Sequence, residues 1–349
     1  MAESCPGYEK TVISFLPLST DTNVFAALFS QAVSKQGYTV REFRWSSFGL
    51  QRANFIFLHW PDSLFAVEGK MGLIKSLVEL AVIQIAKLLW GAKLFWVAHN
   101  AVPHGASNST SFVTRSFLRS LDGVVFLSEY SRKIIESLYP EVRTCKSLVT
   151  VHGHYRGATF TKETPWEMST GDIQLVNFGR IRRYKNIEVL VETVSSISGV
   201  HLLVAGMLED RLLGAAIEAK AKLATNITLD FREHPISEND LAAIVDSADA
   251  IVLPYKNILN SGSALLSLSR NRPVLAPNMG SLPELRDTVG PSWVYLYDGE
   301  FCPQVLLDFK EWMLKTNRGS VAPLGAYDWS RIGAELHEFI ETVVGRRAG

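Results

Sequence analysis

Residues 253–277 read LPYKNILNSGSALLSLSRNRPVLAP, and this stretch decides the fold. Leu253, Pro254 and Tyr255 close an apolar run that begins at Ala248. A loop follows, Asn260-Ser261-Gly262-Ser263 opens an apolar helical run, and Pro273 starts a second strand-like run, PVLAP. Asn, Ser and Gly ahead of such a helix read either as a plain N-cap or as an anion-binding N-terminus. No Asp or Glu lies in the stretch, so any carboxylate chemistry has to come from elsewhere.

The same alternation extends in both directions. Upstream, TVISFLP (11–17), NFIFLHW (54–60), KLFWVAHN (93–100), DGVVFLS (122–128) and SLVTVHG (147–153) are short, nearly continuous apolar runs. Such runs sit buried on both faces of a parallel sheet, and helical runs between them make βαβ units. A second series comprises IQLVNFG (173–179), VHLLVAG (200–206), ITLDFRE (227–233), ADAIVLPY (248–255), RPVLAP (272–277) and WVYLYD (293–298). Between the two series, 154–172 is polar and aperiodic. The reading is α/β with two Rossmann-like doubly wound domains facing across a cleft. Residues 1–156 form the N-terminal domain, 157–172 a linker and 173–326 the C-terminal domain. An amphipathic helix within 327–349 ends the chain. Ligands in such sheets bind beyond the carboxyl ends of the strands, which directs attention to the loops there.

Bulk properties narrow the function. The 349 residues carry a formal net charge of zero, which gives no global field for nucleic acid. Three cysteines, Cys5, Cys145 and Cys302, form no CxxC pair, so a disulfide framework and a structural zinc site are excluded. MAESCPGYEK lacks the basic and apolar regions of a signal peptide, and a cytoplasmic protein is expected. The apolar segment 70–93 is interrupted by Lys75, Glu79, Gln84 and Lys87, too often for a spanning helix. With Lys70 and Lys93 it reads either as a helix resting on an anionic membrane surface or as a buried crossover helix.

Three consecutive loops of the C-terminal domain suit an anion. In FGRIRRYKN (178–186), Gly179 permits a tight turn, and Arg180 with Lys185 can converge on phosphate oxygens; the alternative is a solvated basic loop. Asn260, Ser261, Gly262 and Ser263 form the second loop. PNMGSLPEL (277–285) repeats the pattern, with Glu284 in a first helical turn. In the N-terminal domain, HWPD (59–62) and HNAVPHG (99–105) end adjacent strands. His59, Asp62, His99 and His104 are therefore candidates for a general base or for hydroxyl contacts, although a lone histidine is more often structural. The spacings match no zinc pattern, and GxGxxG after the first strand, GxxxxGK[ST], GxSxG and DxD are all absent.

Together these residues resemble the GT-B glycosyltransferases. GRIRRYKN is similar to the phosphate motif of the family-4-like group, LPYKNILNSGSALLSLSRNRPVLAP with GSLPEL to its donor region, and YDWSRIGAEL (327–336) to its final segment. FLHWPDSLF and AHNAVPHG resemble a narrower set, the bacterial exopolysaccharide β-mannosyltransferases of the xanthan-assembly type, which use GDP-mannose. The resemblance implies a nucleotide-sugar donor, a lipid-linked glycan acceptor, and a peripheral place on the cytoplasmic face of the inner membrane. Retaining members of the broad group carry two glutamates eight positions apart. In register with Pro273, Ile258 and Leu266 stand there, which favours an inverting enzyme.

The expected division of labour follows. Arg180, Lys185, Asn260, Ser261, Gly262 and Ser263 hold the donor diphosphate without a metal ion or other cofactor, consistent with the missing DxD. Glu284 holds donor hydroxyls or ribose, His99 contacts the donor sugar, and 231–240 lines the nucleobase pocket. Asp62 is the expected base, with His59 and His104 as runners-up; Trp60 and Asn23 are placed with the acceptor. A retaining GT-B enzyme using another nucleotide sugar, a sugar-nucleotide epimerase and a non-catalytic binding subunit are the competing readings.

Overall fold

The computed structural model describes residues 11–14, 23–42, 53–65, 69–100, 111–157 and 163–345. His104, and the rest of 101–110, lie outside them. The chain divides into two units, residues 1–153 with 327–349, and residues 154–326.

The first unit is built on a six-stranded parallel sheet of order β2-β1-β3-β4-β5-β6. Its strands are β1 (Thr11–Ser14), β2 (Thr39–Glu42), β3 (Phe55–Leu58), β4 (Lys93–Ala98), β5 (Gly123–Phe126) and β6 (Lys146–Val149). Every residue of β3 and β5 is buried, as is β4 from Leu94 on, which is why these runs read as unbroken apolar sequence. β2 escaped the sequence reading. It is an edge strand whose TVRE is only partly buried, and a charged, short edge shields unpaired backbone. The helices are α1 (Val24–Ser34), α2 (Asp62–Phe65), α3 (Gly69–Trp90), α4 (Phe112–Ser120) and α5 (Glu129–Leu138).

α3 is the crossover between the parallel strands β3 and β4, and most of its large apolar side chains are not buried. Its inward residues are Ser76, Glu79, Ile83 and Ala86. Ser76 Oγ donates to Ser63 O and Gly72 O at 2.7 Å, and Glu79 accepts from Ser63 Oγ. Met71, Leu73, Ile74, Leu77, Val78, Ile85, Leu88 and Leu89 are exposed, Leu88 at 84%. Two polar residues, Ser76 and Glu79, thus share the inward face with Ile83 and Ala86, while eight large apolar side chains face out, unlike an ordinary surface helix. Among the described residues no helix is long and apolar enough to cross a membrane.

The second unit also has six parallel strands, in the order β12-β11-β10-β7-β8-β9. They are β7 (Ile173–Phe178), β8 (Val200–Met207), β9 (Ile227–Arg232), β10 (Ala250–Val252), β11 (Val274–Pro277) and β12 (Val294–Tyr297). The helices are α6 (Ile187–Ser195), α7 (Arg211–Ala221), α8 (Glu238–Asp246), α9 (Gly262–Ser269), α10 (Leu282–Val289) and α11 (Pro303–Lys315). β7 starts the unit, β8 and β9 extend it one way and β10 to β12 the other, so strand order reverses between β7 and β10. Ligands of open α/β sheets bind beyond the strand ends at this switch point. The polar stretch ahead of β7 is pinned to this unit: Trp166 Nε1 donates to Asp249 O (2.9 Å), and Arg318 lies between the Trp166 and Trp312 rings, 4.4 and 4.5 Å from their centroids. The last helix, α12 (Trp329–Val344), packs on α1 and β6 in the first unit.

Candidate functional site

At the switch point of the second unit three loops are tied together. Lys256 N donates to Tyr184 O (2.8 Å), joining the loops after β7 and β10, and Ser281 N donates to Leu259 O (2.9 Å), joining those after β10 and β11. Gly280 adopts φ +63°, and a side chain there would collide with Ile258 O. Ile258 and Leu266 thus belong to loop packing and to the buried face of α9, Leu266 being 9% exposed.

The loop after β7 turns at Gly179, φ +100°, where an added Cβ would fall 2.9 Å from Lys185 Nζ. Lys185 is buried, and its ammonium donates to Phe178 O at 2.8 Å. Burial pushes its pKa down to about 8, with the Arg182 charge adding to the shift. Arg180, by contrast, is turned to a carboxylate: its Nη1 lies 2.5 Å from Glu209 Oε1, while Arg182 Nε lies 2.7 Å from Glu209 Oε2. Arg183 pairs with Asp210 at 2.8 Å. The acidic pair after β8 was not singled out in the sequence, since only the β7–β8 pairing brings it to the basic loop.

α9 begins as its sequence predicts. Ser261 is the N-cap, its Oγ accepting from Ala264 N (3.1 Å) and lying 3.3 Å from Tyr255 Oη. Gly262 and Ser263 form the first turn, where helix amides favour negative charge. Asn260 precedes the cap, and Glu284 sits partly buried in the first turn of α10. In the 231–240 segment Arg232 is held by Asp230 and Asp240, both at 2.8 Å. A hollow of about 340 Å³ beside these loops is lined by Asn186, Tyr255, Lys256, Met279, Tyr297 and Glu300, among others.

The first unit gathers a different set beyond β3, β4 and β6. His59 Nδ1 lies 3.2 Å from His99 Nε2, and the Trp60 ring stacks on His99 with centroids 4.2 Å apart. Phe25 of α1 packs against His59, His99, His152 and Trp329, with His152 nearest at 4.4 Å. His59 is 1% exposed, and burial pulls its pKa down to about 3. His99 falls well below 6.5 through burial and then through His59 and His152; burial brings His152 to about 4. His59 is therefore neutral and shielded from solvent, a poor position for a general base. Asp62 is exposed at the start of α2, bordering a small crevice with His59, Trp60, Trp96 and Asn100. Asn23 is the N-cap of α1, its Oδ1 accepting from Ala26 N (3.2 Å). His152 was passed over in the sequence, as an isolated histidine at the end of a strand run carries no pattern of its own.

Known proteins show the same arrangement of chain. No family model matches. A GDP-mannose:glycolipid 4-β-D-mannosyltransferase of Xanthomonas campestris pv. campestris is 32% identical over 320 residues, 90% of this chain and 85% of that protein. The chain belongs to this mannosyltransferase family. A second relative of the same description, from a named strain of Xanthomonas campestris pv. campestris, is 31% identical over the same shares. Sucrose-phosphate synthase from Thermosynechococcus elongatus matches with TM-score 0.65 and 13% identity, covering 96% of this chain and 99% of that one. Anabaena HepE in complex with UDP matches with TM-score 0.60 and 12% identity, covering 96% and 100%. These two likenesses are of fold, and the fold is GT-B. A member of this family with two parallel-sheet α/β units is a glycosyltransferase.

Proposed function

We propose that the protein transfers mannose from GDP-mannose to a lipid-linked glycan, with inversion at the anomeric carbon and without a metal ion, in bacterial exopolysaccharide assembly. The observation that carries the reading is the 32% identity over 90% of the chain to an enzyme of that donor and acceptor class. The departures at Ile258 and Leu266 support inversion, since neither side chain can carry the charge of a retaining enzyme's acidic pair.

In this account the acceptor hydroxyl oxygen attacks the anomeric carbon while the bond to the diphosphate breaks. GDP leaves with the electron pair, and its growing charge is met by Lys185, Arg180 and the first-turn amides of α9. Fixed cationic and dipolar groups of this kind do the work that a metal does elsewhere. Asp62 takes the hydroxyl proton, being the exposed carboxylate beside Trp60, whose ring offers a stacking surface to a sugar. His99 contacts the donor sugar, Glu284 its hydroxyls or the ribose, and Asn23 the acceptor.

The exposed face of α3 supports a peripheral place on the cytoplasmic leaflet of the inner membrane. Its apolar arc spans roughly 160° at 3.6 residues per turn, broader than the narrow stripe that pairs two helices. Lys70 and Lys75 stand exposed on the same helix, suited to anionic headgroups. Replacing the base tests the mechanism: Asp62→Asn should abolish transfer while GDP-mannose still binds in calorimetry. Full turnover by that variant would remove Asp62 from the role.

A further inference from the structure

Ser76 and Glu79 stand three positions apart on the inward face of α3, 1% and 4% exposed. A buried carboxylate is costly unless it is hydrogen-bonded, and an apolar residue at 79 would carry no such cost. Glu79 accepts from Ser63 Oγ, while Lys75, mostly exposed, is 3.9 Å away. Ser76 Oγ lies 2.7 Å from both Ser63 O and Gly72 O. The bond to Gly72 is one a helix serine makes within its own helix; the bond to Ser63 reaches another element. Ser63 belongs to α2, a turn of four residues that opens with Asp62. One turn cannot satisfy its own carbonyls and does not persist alone as a helix. Neighbouring helices supply the donors: Ser76 Oγ meets Ser63 O, and Thr114 Oγ1 of α4 donates to Leu64 O at 2.9 Å.

We propose that Glu79 and Ser76 are positioning residues: they hold the α2 turn through Ser63 and so fix where Asp62, one residue earlier, presents its carboxylate. Glu79 takes the side-chain hydroxyl of Ser63 and Ser76 its main-chain carbonyl, so the backbone of the turn is held together with the side chain. Thr114 secures the next carbonyl. A displacement of about 1 Å in a reacting group can cost a hundred-fold in rate, which gives such a hold its value. The proposal also accounts for the composition of α3. Its inward face is polar where it meets Ser63 and apolar at Ile83 and Ala86, beyond that contact. The catalytic consequence rests on the role of Asp62 proposed above; the holding of the turn does not.

The test joins amide hydrogen exchange of the full chain with turnover. Leu64 N donates to Pro61 O (2.9 Å) within the turn, and its exchange reports whether the turn is held. Glu79→Leu should speed exchange at Leu64 at least about ten-fold relative to the amides of β4, the loss of one hydrogen bond to a charged group. With GDP-mannose and a lipid-linked oligosaccharide, the same variant should lower kcat at least about ten-fold while GDP affinity in calorimetry stays unchanged. Glu79→Gln keeps an acceptor for Ser63, and should recover the slow exchange and most of kcat. Leu64 exchange that keeps in step with β4 in the leucine variant overturns the proposal. So does a wild-type kcat in that variant, or a loss that the glutamine variant shares in full. Should Glu79→Leu not fold, Ser76→Ala, which removes the bond to Ser63 O, is read in the same way. Exchange needs no substrate, so full turnover by Asp62→Asn would remove the base while Leu64 still decides whether the turn is held.

Discussion

Acidification should unfold the first unit through its three buried histidines, and the size of the effect follows from their burial. Folded, His59 and His152 have pKa values near 3 and 4, and His99 lies well below the ordinary 6.5. Unfolded, each returns to about 6.5. The unfolded state therefore binds more protons, so stability is full above the unfolded pKa and is lost as pH falls below it. At about pH 5.5 unfolded His59 and His152 together hold about 1.8 protons while the folded pair holds almost none, a slope of about 2.5 kcal/mol per pH unit. Integrated from about pH 7.5 to about pH 5.5, these two lose about 2.7 kcal/mol, and His99 adds to the loss in the same direction. The assay is amide hydrogen exchange of β4 and β5, corrected for intrinsic rates, which reads this unit apart from the other. His152→Leu should reduce the loss by about 1.4 kcal/mol, the share of that one histidine. Protection that changes by less than about 1 kcal/mol over this range would refute the assignment of three neutral histidines to the folded state.

Other expectations concern the donor loops and α3. Lys185→Met should weaken GDP binding at least about ten-fold in calorimetry, and wild-type affinity should fall as pH rises past about 8, where the ammonium loses its proton. Glu209→Gln should tighten GDP binding up to about five-fold, because Arg180 and Arg182 no longer have a carboxylate to leave; unchanged affinity would show that exposed pair to be energetically silent. Replacing Leu77 and Leu88 with Glu should abolish co-sedimentation with vesicles of mixed anionic and neutral lipid while leaving the melting temperature unchanged. Persistent binding would assign the membrane contact to another surface.

Much of the fold is legible in the sequence because strands buried on both faces leave unbroken apolar runs. FIFL, KLFWVA and GVVF need no partner to be recognised. β2 is not legible: an edge strand with Arg41 and Glu42 carries too little apolar signal. α3 shows a different limit. Its composition reveals apolarity but not orientation, and only contacts with Ser63 show that Ser76 and Glu79 are the inward residues. The start of α9 is readable because the N-cap chemistry of Ser261 is local. Pairings such as Arg180 with Glu209, or His59 with His99, join residues on neighbouring strands far apart in sequence, and become visible only once the strand order is known.

The central claim is stereochemical, and one experiment addresses it. The enzyme is supplied with GDP-mannose, an α-configured donor, and a lipid-linked oligosaccharide, with chelator present throughout, and the anomeric carbon–proton coupling of the transferred residue is measured by NMR. The expected result is release of GDP and a β-linked mannose. An α-linkage, or an absence of transfer that is relieved by leaving the chelator out, would contradict it.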